Sequence, residues 1–180
     1  MANARPLHWA GRFFSSIRPG GPPAADLAWA DGLLSDRERS LFLRMSSADR
    51  RHAIDVARRV DATLGDEALG LEVARRDEVL VAALLHDIGK TAAGLSTYGR
   101  VVATLCRYAG GAAVAELWQD TRGFTRRVGL YIRYPILGAE MLQVADSAPW
   151  VVAWSREHHL DEEEWTVPPA IGRVLVAADR

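Results

Sequence analysis

Beyond residue 25, apolar positions recur at helical spacing, and no run alternates with the period of two expected of a strand. Ser35-Asp36-Arg37-Glu38 has the form of a capping box and opens a helix towards Met45. Ser46-Ser47-Ala48-Asp49 repeats the signal and predicts a helix over 48–64, stopped by Gly65. Val56, Val60 and Leu64 form one stripe on that helix, and His52 extends it at the same spacing of four. A long helix follows, ending around Gly89, and another is expected over 96–107, closed by Gly110-Gly111. Further helices are predicted over 113–119, 124–133, 135–146, 149–158 and 169–180. Pro135, Pro149 and Pro169 each suit a first helical turn, where the missing N–H has no partner to lose. The pattern contains no internal repeat. It predicts an all-α fold in one helical domain over 26–180, preceded by a leader over 1–25 that Pro19-Gly20-Gly21-Pro22-Pro23 breaks from the rest.

Polar groups interrupt this pattern at telling places. Seven apolar residues, Val79 to Leu85, run straight into His86-Asp87-Ile88-Gly89-Lys90. Burying an ionisable pair costs several kcal/mol in order of magnitude unless an ionic network or a cation compensates it. A plainer reading places His86 and Asp87 at a helix end, capping it or reaching solvent. His52 occupies a stripe position where an apolar residue belongs, and Asp179 ends a stripe made of Ile171, Val174, Leu175 and Ala178. Two imidazoles and two carboxylates form a mixed N/O set suited to Mn²⁺, Fe²⁺, Ni²⁺, Co²⁺ or Zn²⁺.

Composition narrows the class. With 180 residues, 49% hydrophobic and 25% charged, the chain is long enough for one well-packed domain. A net charge of −1 gives no general attraction to nucleic acid or anionic lipid. Lys90 is the only lysine among arginines. Cys106 stands alone, so no intrachain disulfide forms, and its apolar neighbours suggest a core thiol. No stretch approaches the ~18–20 apolar residues of a membrane span, and the N-terminus lacks the form of a signal peptide. The expectation is a cytoplasmic protein. The leader carries Arg5, Arg12 and Arg18 among Trp9, Phe13, Phe14 and Ile17. That pattern fits a basic amphipathic segment touching a membrane or partner, or one whose aromatics fold back onto the domain.

The order His, His-Asp, Asp in an all-α chain resembles the HD-domain metal-dependent phosphohydrolase superfamily. Leu84-Leu85-His86-Asp87-Ile88-Gly89-Lys90 is similar to its defining string. Arg51-His52-Ala53 resembles its first-histidine helix, and Val174-Leu175-Val176-Ala177-Ala178-Asp179 its final-aspartate helix. The resemblance spans roughly 47–180 and implies that His52, His86, Asp87 and Asp179 bind one divalent metal: Mn, Fe, Ni, Co, Zn or Mg. Asp179 stands one residue from the end of the sequence, on a turn that frays unless docked, so Asp146 is the lesser, alternative carboxylate. Tyr134-Pro135-Ile136-Leu137-Gly138 is similar to a segment of the HD-GYP branch that carries histidine before the proline, and His158-His159 to that branch's paired histidines. Tyr134 stands in that histidine's place and the Gly-Tyr-Pro signature is absent, which implies a mononuclear site with His158 and His159 near the pocket as substrate contacts or an incomplete outer shell.

The resemblance implies hydrolysis of a small-molecule phosphoester, a nucleotide first, by metal-activated water. Asp87 would ligate and accept the water's proton, and Lys90 would contact the substrate and neutralise phosphate charge. Lys90 reads equally well as a cation at a helix C-terminus. His158 and His159 read also as a surface helix end facing the acidic 161–164 stretch. The alternative function is a non-catalytic HD domain that binds metal or nucleotide as a regulatory or scaffold module.

Overall fold

In the described chain, two short helices precede the first long one: α1 (Ala24–Asp31) and α2 (Asp36–Leu43) lead into α3 (Ser47–Asp66). A computed structural model describes residues 20–66 and 73–180. The aromatic and basic positions of the leader, through Arg18, lie outside these residues, and α1 begins inside the stretch assigned to the leader. There follow α4 (Val73–Leu85), α5 (Lys90–Ala93), α6 (Thr97–Gln119), α7 (Gly123–Ile132), α8 (Tyr134–Val144) and α9 (Pro149–Glu157). A 3₁₀ turn (Glu162–Glu164) and α10 (Pro169–Ala178) complete the chain. No strand occurs among the described residues, and the fold is all-α.

Local chemistry explains most helix starts. The Ser35 side chain accepts from the Glu38 N–H while Glu38 returns to the Ser35 N–H, which is the capping box read from sequence. Ser46 likewise accepts from the Asp49 N–H at 3.1 Å and opens α3. Prolines open α8, α9 and α10, as expected.

Two glycine stops did not operate. Helix α3 continues through Gly65 to Asp66, and α6 runs unbroken through Gly110-Gly111 to Gln119, merging two predicted helices. Glycine inside a helix costs about 1 kcal/mol, which tertiary packing overrides. The packing is visible at Gly129 of α7, where an added Cβ would lie 2.8 Å from the Gln119 backbone nitrogen. Only a glycine lets α7 lie that close to the end of α6.

Helix α4 is the centre of the main core. Val79 through Leu85 are all buried, against Ala53, Val56 and Val60 of α3, Val151 and Trp154 of α9, and Ile171 and Leu175 of α10. A helix apolar all round is one surrounded by protein. Helices α6 and α7 pack into a second, smaller core of Ala93, Leu95, Ala103, Ala115, Val128 and Ile132. Short α5 joins the two by touching both α7 and α8. Among the described residues no single helix is long and apolar enough to cross a membrane.

Candidate metal centre

The buried helix α4 ends at Leu85, and the chain then makes a tight turn through His86, Asp87, Ile88 and Gly89 before α5. Successive i to i+3 bonds close that turn: Ile88 N–H to the Leu85 carbonyl, Lys90 N–H to Asp87 and Thr91 N–H to Ile88, at 3.0–3.1 Å. Gly89 presses against α8: a Cβ there would lie 1.9 Å from the Tyr134 carbonyl oxygen. The Ser155 hydroxyl donates to the His86 carbonyl at 3.4 Å, tying the turn to α9. His86 and Asp87 are thereby fixed at the bottom of a site between helices, each with a side chain only 2% exposed.

Two distant helices bring candidate ligands to this turn. His52 projects from α3 and Asp179 caps the C-terminus of α10, with His52 Nε2 3.0 Å from Asp179 Oδ1. His86 Nε2 lies 3.4 Å from Asp87 Oδ2 and 3.7 Å from Asp179 Oδ1. His52, His86 and Asp87 each offer a ligand atom within 4.8 Å of the others, and this cluster could hold a metal ion. The last turn of α10 is docked by the His52–Asp179 contact. Asp146, the alternative carboxylate, is exposed at positive φ and paired with Arg37, so it does not enter the cluster.

Tautomer and charge follow from the neighbours. His86 Nδ1–H donates to the Ala83 carbonyl at 2.8 Å, which leaves Nε2 facing the carboxylates. His86 Nε2 and Asp87 Oδ1 are both buried and without a hydrogen-bond partner. Burial opposes a charge on Asp87, but the Lys90 ammonium and His86 outweigh it and hold the carboxyl well below its ordinary range. On His86 burial favours the neutral ring, yet Asp87 and Asp179 prevail and raise its pKa. A field that favours a proton between those carboxylates favours any cation there.

Lys90 reaches back to Asp87 Oδ2, and its Nζ stands 5.0 Å from the centre of the Tyr134 ring. It opens α5, so a direct ion pair replaces the expected role of a cation at a helix C-terminus. His158 caps α9 with its side chain 3% exposed and Nε2 3.8 Å from Asp87 Oδ1, so it belongs to the site rather than to a surface helix end. Burial and the neighbouring His159 and His86 push its pKa well below the usual value, so it is neutral. His159 is exposed and meets the Tyr134 hydroxyl instead of the cluster.

The sequence reading set Tyr134 where the resembled branch has histidine but missed its bonding: the hydroxyl bridges His158 and His159. Behind Lys90, Arg100 forms a two-pronged pair with Asp49 at 2.6 and 2.7 Å, joining α6 to α3 with no local signal at all. A surface depression lined by Gln143, Val152, Ala153, Arg156 and Glu157 lies apart, and no candidate ligand lines it. No family model, curated protein or solved structure compared with the chain matches it, so the reading of this centre stands on its own geometry.

Proposed function

We propose that the chain is an HD-type metal-dependent phosphohydrolase, holding one divalent metal through His52, His86, Asp87 and Asp179 and acting on a small phosphoester, a nucleotide first. The observation that carries this reading is the pair of buried polar atoms without a hydrogen-bond partner, His86 Nε2 and Asp87 Oδ1, in a His/Asp cluster. Leaving two such atoms buried costs about 1–3 kcal/mol each, and a cation removes both penalties at once. Imidazole nitrogen with carboxylate oxygen suits Mn, Fe, Ni, Co, Zn or, less well, Mg.

When bound, such an ion supplies Lewis acidity and a water of lowered pKa. The chain's own residues do the rest. The Ala83 carbonyl holds the His86 ring in the tautomer that turns Nε2 inward. Lys90 engages Oδ2 of Asp87, the oxygen 3.4 Å from His86 Nε2, while Oδ1 lies 3.8 Å from His158 Nε2 without a hydrogen-bond partner and would be the oxygen left to take a proton from an attacking water. In this reading the Lys90 ammonium, paired with Asp87, would also neutralise charge growing on phosphate oxygens. His158, 3.8 Å from Asp87 Oδ1, and Tyr134, hydrogen-bonded to His158, stand beside Asp87 and would contact what binds there.

A second reading, a non-catalytic HD domain that binds metal or nucleotide for regulation, is favoured by one observation. Lys90, His158 and His159 are each held by another side chain of the chain itself. Metal content decides first. Protein purified without chelator is expected to carry near-stoichiometric divalent metal, and Asp87→Ala to lose it. Turnover of a phosphoester panel with added Mn²⁺, Ni²⁺ or Co²⁺ then separates the enzyme from the binding module. Wild-type protein that neither carries nor takes up these ions overturns the hydrolase reading and the metal-binding form of the second, leaving only a nucleotide-binding module.

A further inference from the structure

His158 stands beside the His52, His86 and Asp87 cluster without belonging to it. Its ring centre lies 5.3 Å from that of His86, its side chain is buried, and its Nε2 is 3.8 Å from the unpartnered Asp87 Oδ1. A neutral imidazole has a single lone pair, in the ring plane. The Trp154 and Ser155 carbonyls, at 3.2 and 3.0 Å, take the proton on Nδ1, so that lone pair is on Nε2. It faces the Tyr134 hydroxyl at 3.0 Å. We infer that Tyr134 is a positioning residue that sets the ligand number of the metal centre: its hydroxyl engages His158 Nε2 and keeps that imidazole out of the ligand set.

Proton accounting gives the bond its direction. With Nδ1 carrying the proton, His158 Nε2 only accepts, so the Tyr134 O–H donates to it. The same oxygen meets His159 Nε2, which must then be the donor. The resulting chain runs from exposed His159 through Tyr134 to buried His158, each bond strengthening the next. Tyr134 cannot swing aside. Its residue is 5% exposed, its carbonyl abuts Gly89, and its ring lies beneath Lys90. The hydroxyl is therefore fixed between the metal cluster and His159.

This inference rests on the metal reading above, and its test separates the two. The probe is Co²⁺, whose visible absorption reports the number and kind of its ligands. Tyr134→Phe removes one oxygen and keeps the ring, so it frees His158 Nε2 without opening the packing. The variant is expected to bind Co²⁺ roughly tenfold or more tightly than wild type and to change its absorption spectrum. His158→Ala alone should bring no gain in Co²⁺ affinity. Adding it to Tyr134→Phe should abolish the gain in affinity that Tyr134→Phe brings. A Tyr134→Phe protein with wild-type Co²⁺ affinity and spectrum overturns the inference while the metal reading stands. So does a gain that survives loss of His158. Absence of Co²⁺ binding in both wild type and Tyr134→Phe overturns the metal reading and this inference together.

Discussion

Replacing Gly89 with alanine tests the claim that the turn carrying His86 and Asp87 is wedged against α8. The backbone there has φ −61° and ψ −20°, which any residue adopts, so the cost is purely steric. The added methyl would stand 1.9 Å from the Tyr134 carbonyl oxygen and 2.7 Å from the Gly138 nitrogen. Both are backbone atoms of α8, and neither can rotate away. Restoring ordinary contact requires the turn and the helix to part by about 1.5 Å, which forfeits much of the dispersion contact on both sides. Overpacking against yielding side chains costs 1–3 kcal/mol in general; against two rigid backbone segments the expectation is roughly 3–5 kcal/mol. That is a large share of the ~5–15 kcal/mol that holds a typical domain folded. Urea unfolding followed by far-ultraviolet circular dichroism gives the number, provided the m-value is unchanged. Gly21→Ala is the control, since its nearest neighbour would be Ser47 Cβ at 3.8 Å and its change should stay within about 0.5 kcal/mol. If Gly89→Ala lies within about 1 kcal/mol of wild type, the close approach is not what fixes the turn.

Asp49→Asn leaves the half-buried Arg100 guanidinium without its carboxylate and should cost about 2–4 kcal/mol at neutral pH, read as a fall in urea midpoint. Burial works to raise the Asp49 pKa, but the Arg100 bonds and charge outweigh it and hold it below the ordinary value of 3.8. A depressed folded pKa means this stabilisation is present above the unfolded value and is lost as pH falls through the folded one. The wild-type advantage over Asp49→Asn should therefore shrink below about pH 4 in acid titrations of stability, and an advantage that grows there would reverse the sign of the argument. Glu157, buried at the end of α9, accepts from the Thr166 N–H and hydroxyl and from the Val167 N–H. Glu157→Ala should lower stability by about 2–4 kcal/mol in thermal unfolding and loosen the chain leading into α10; a change under about 0.5 kcal/mol would show those donors are satisfied otherwise.

What the sequence determined by itself was local. Capping at Ser35 and Ser46, prolines at three helix starts, and stripes of period 3.6 all act within about four residues, so they can be read from the chain alone. The same periodicity singled out His52, His86 and Asp179 as polar groups on apolar faces, because a stripe states which side of its helix is buried. It could not state what that side is buried against. Packing of α10 on α3 brings Asp179 within 3.0 Å of a histidine 127 residues away. Packing also overrode the glycines at 65 and 110–111, whose helix-breaking cost of about 1 kcal/mol each is small beside a buried interface. Tertiary structure alone separated His158 from His159, placing one beside Asp87 and the other at the surface. Tyr134 joins them, and its role depends on α8 meeting the end of α9 at one oxygen, a fact that no spacing along the chain encodes.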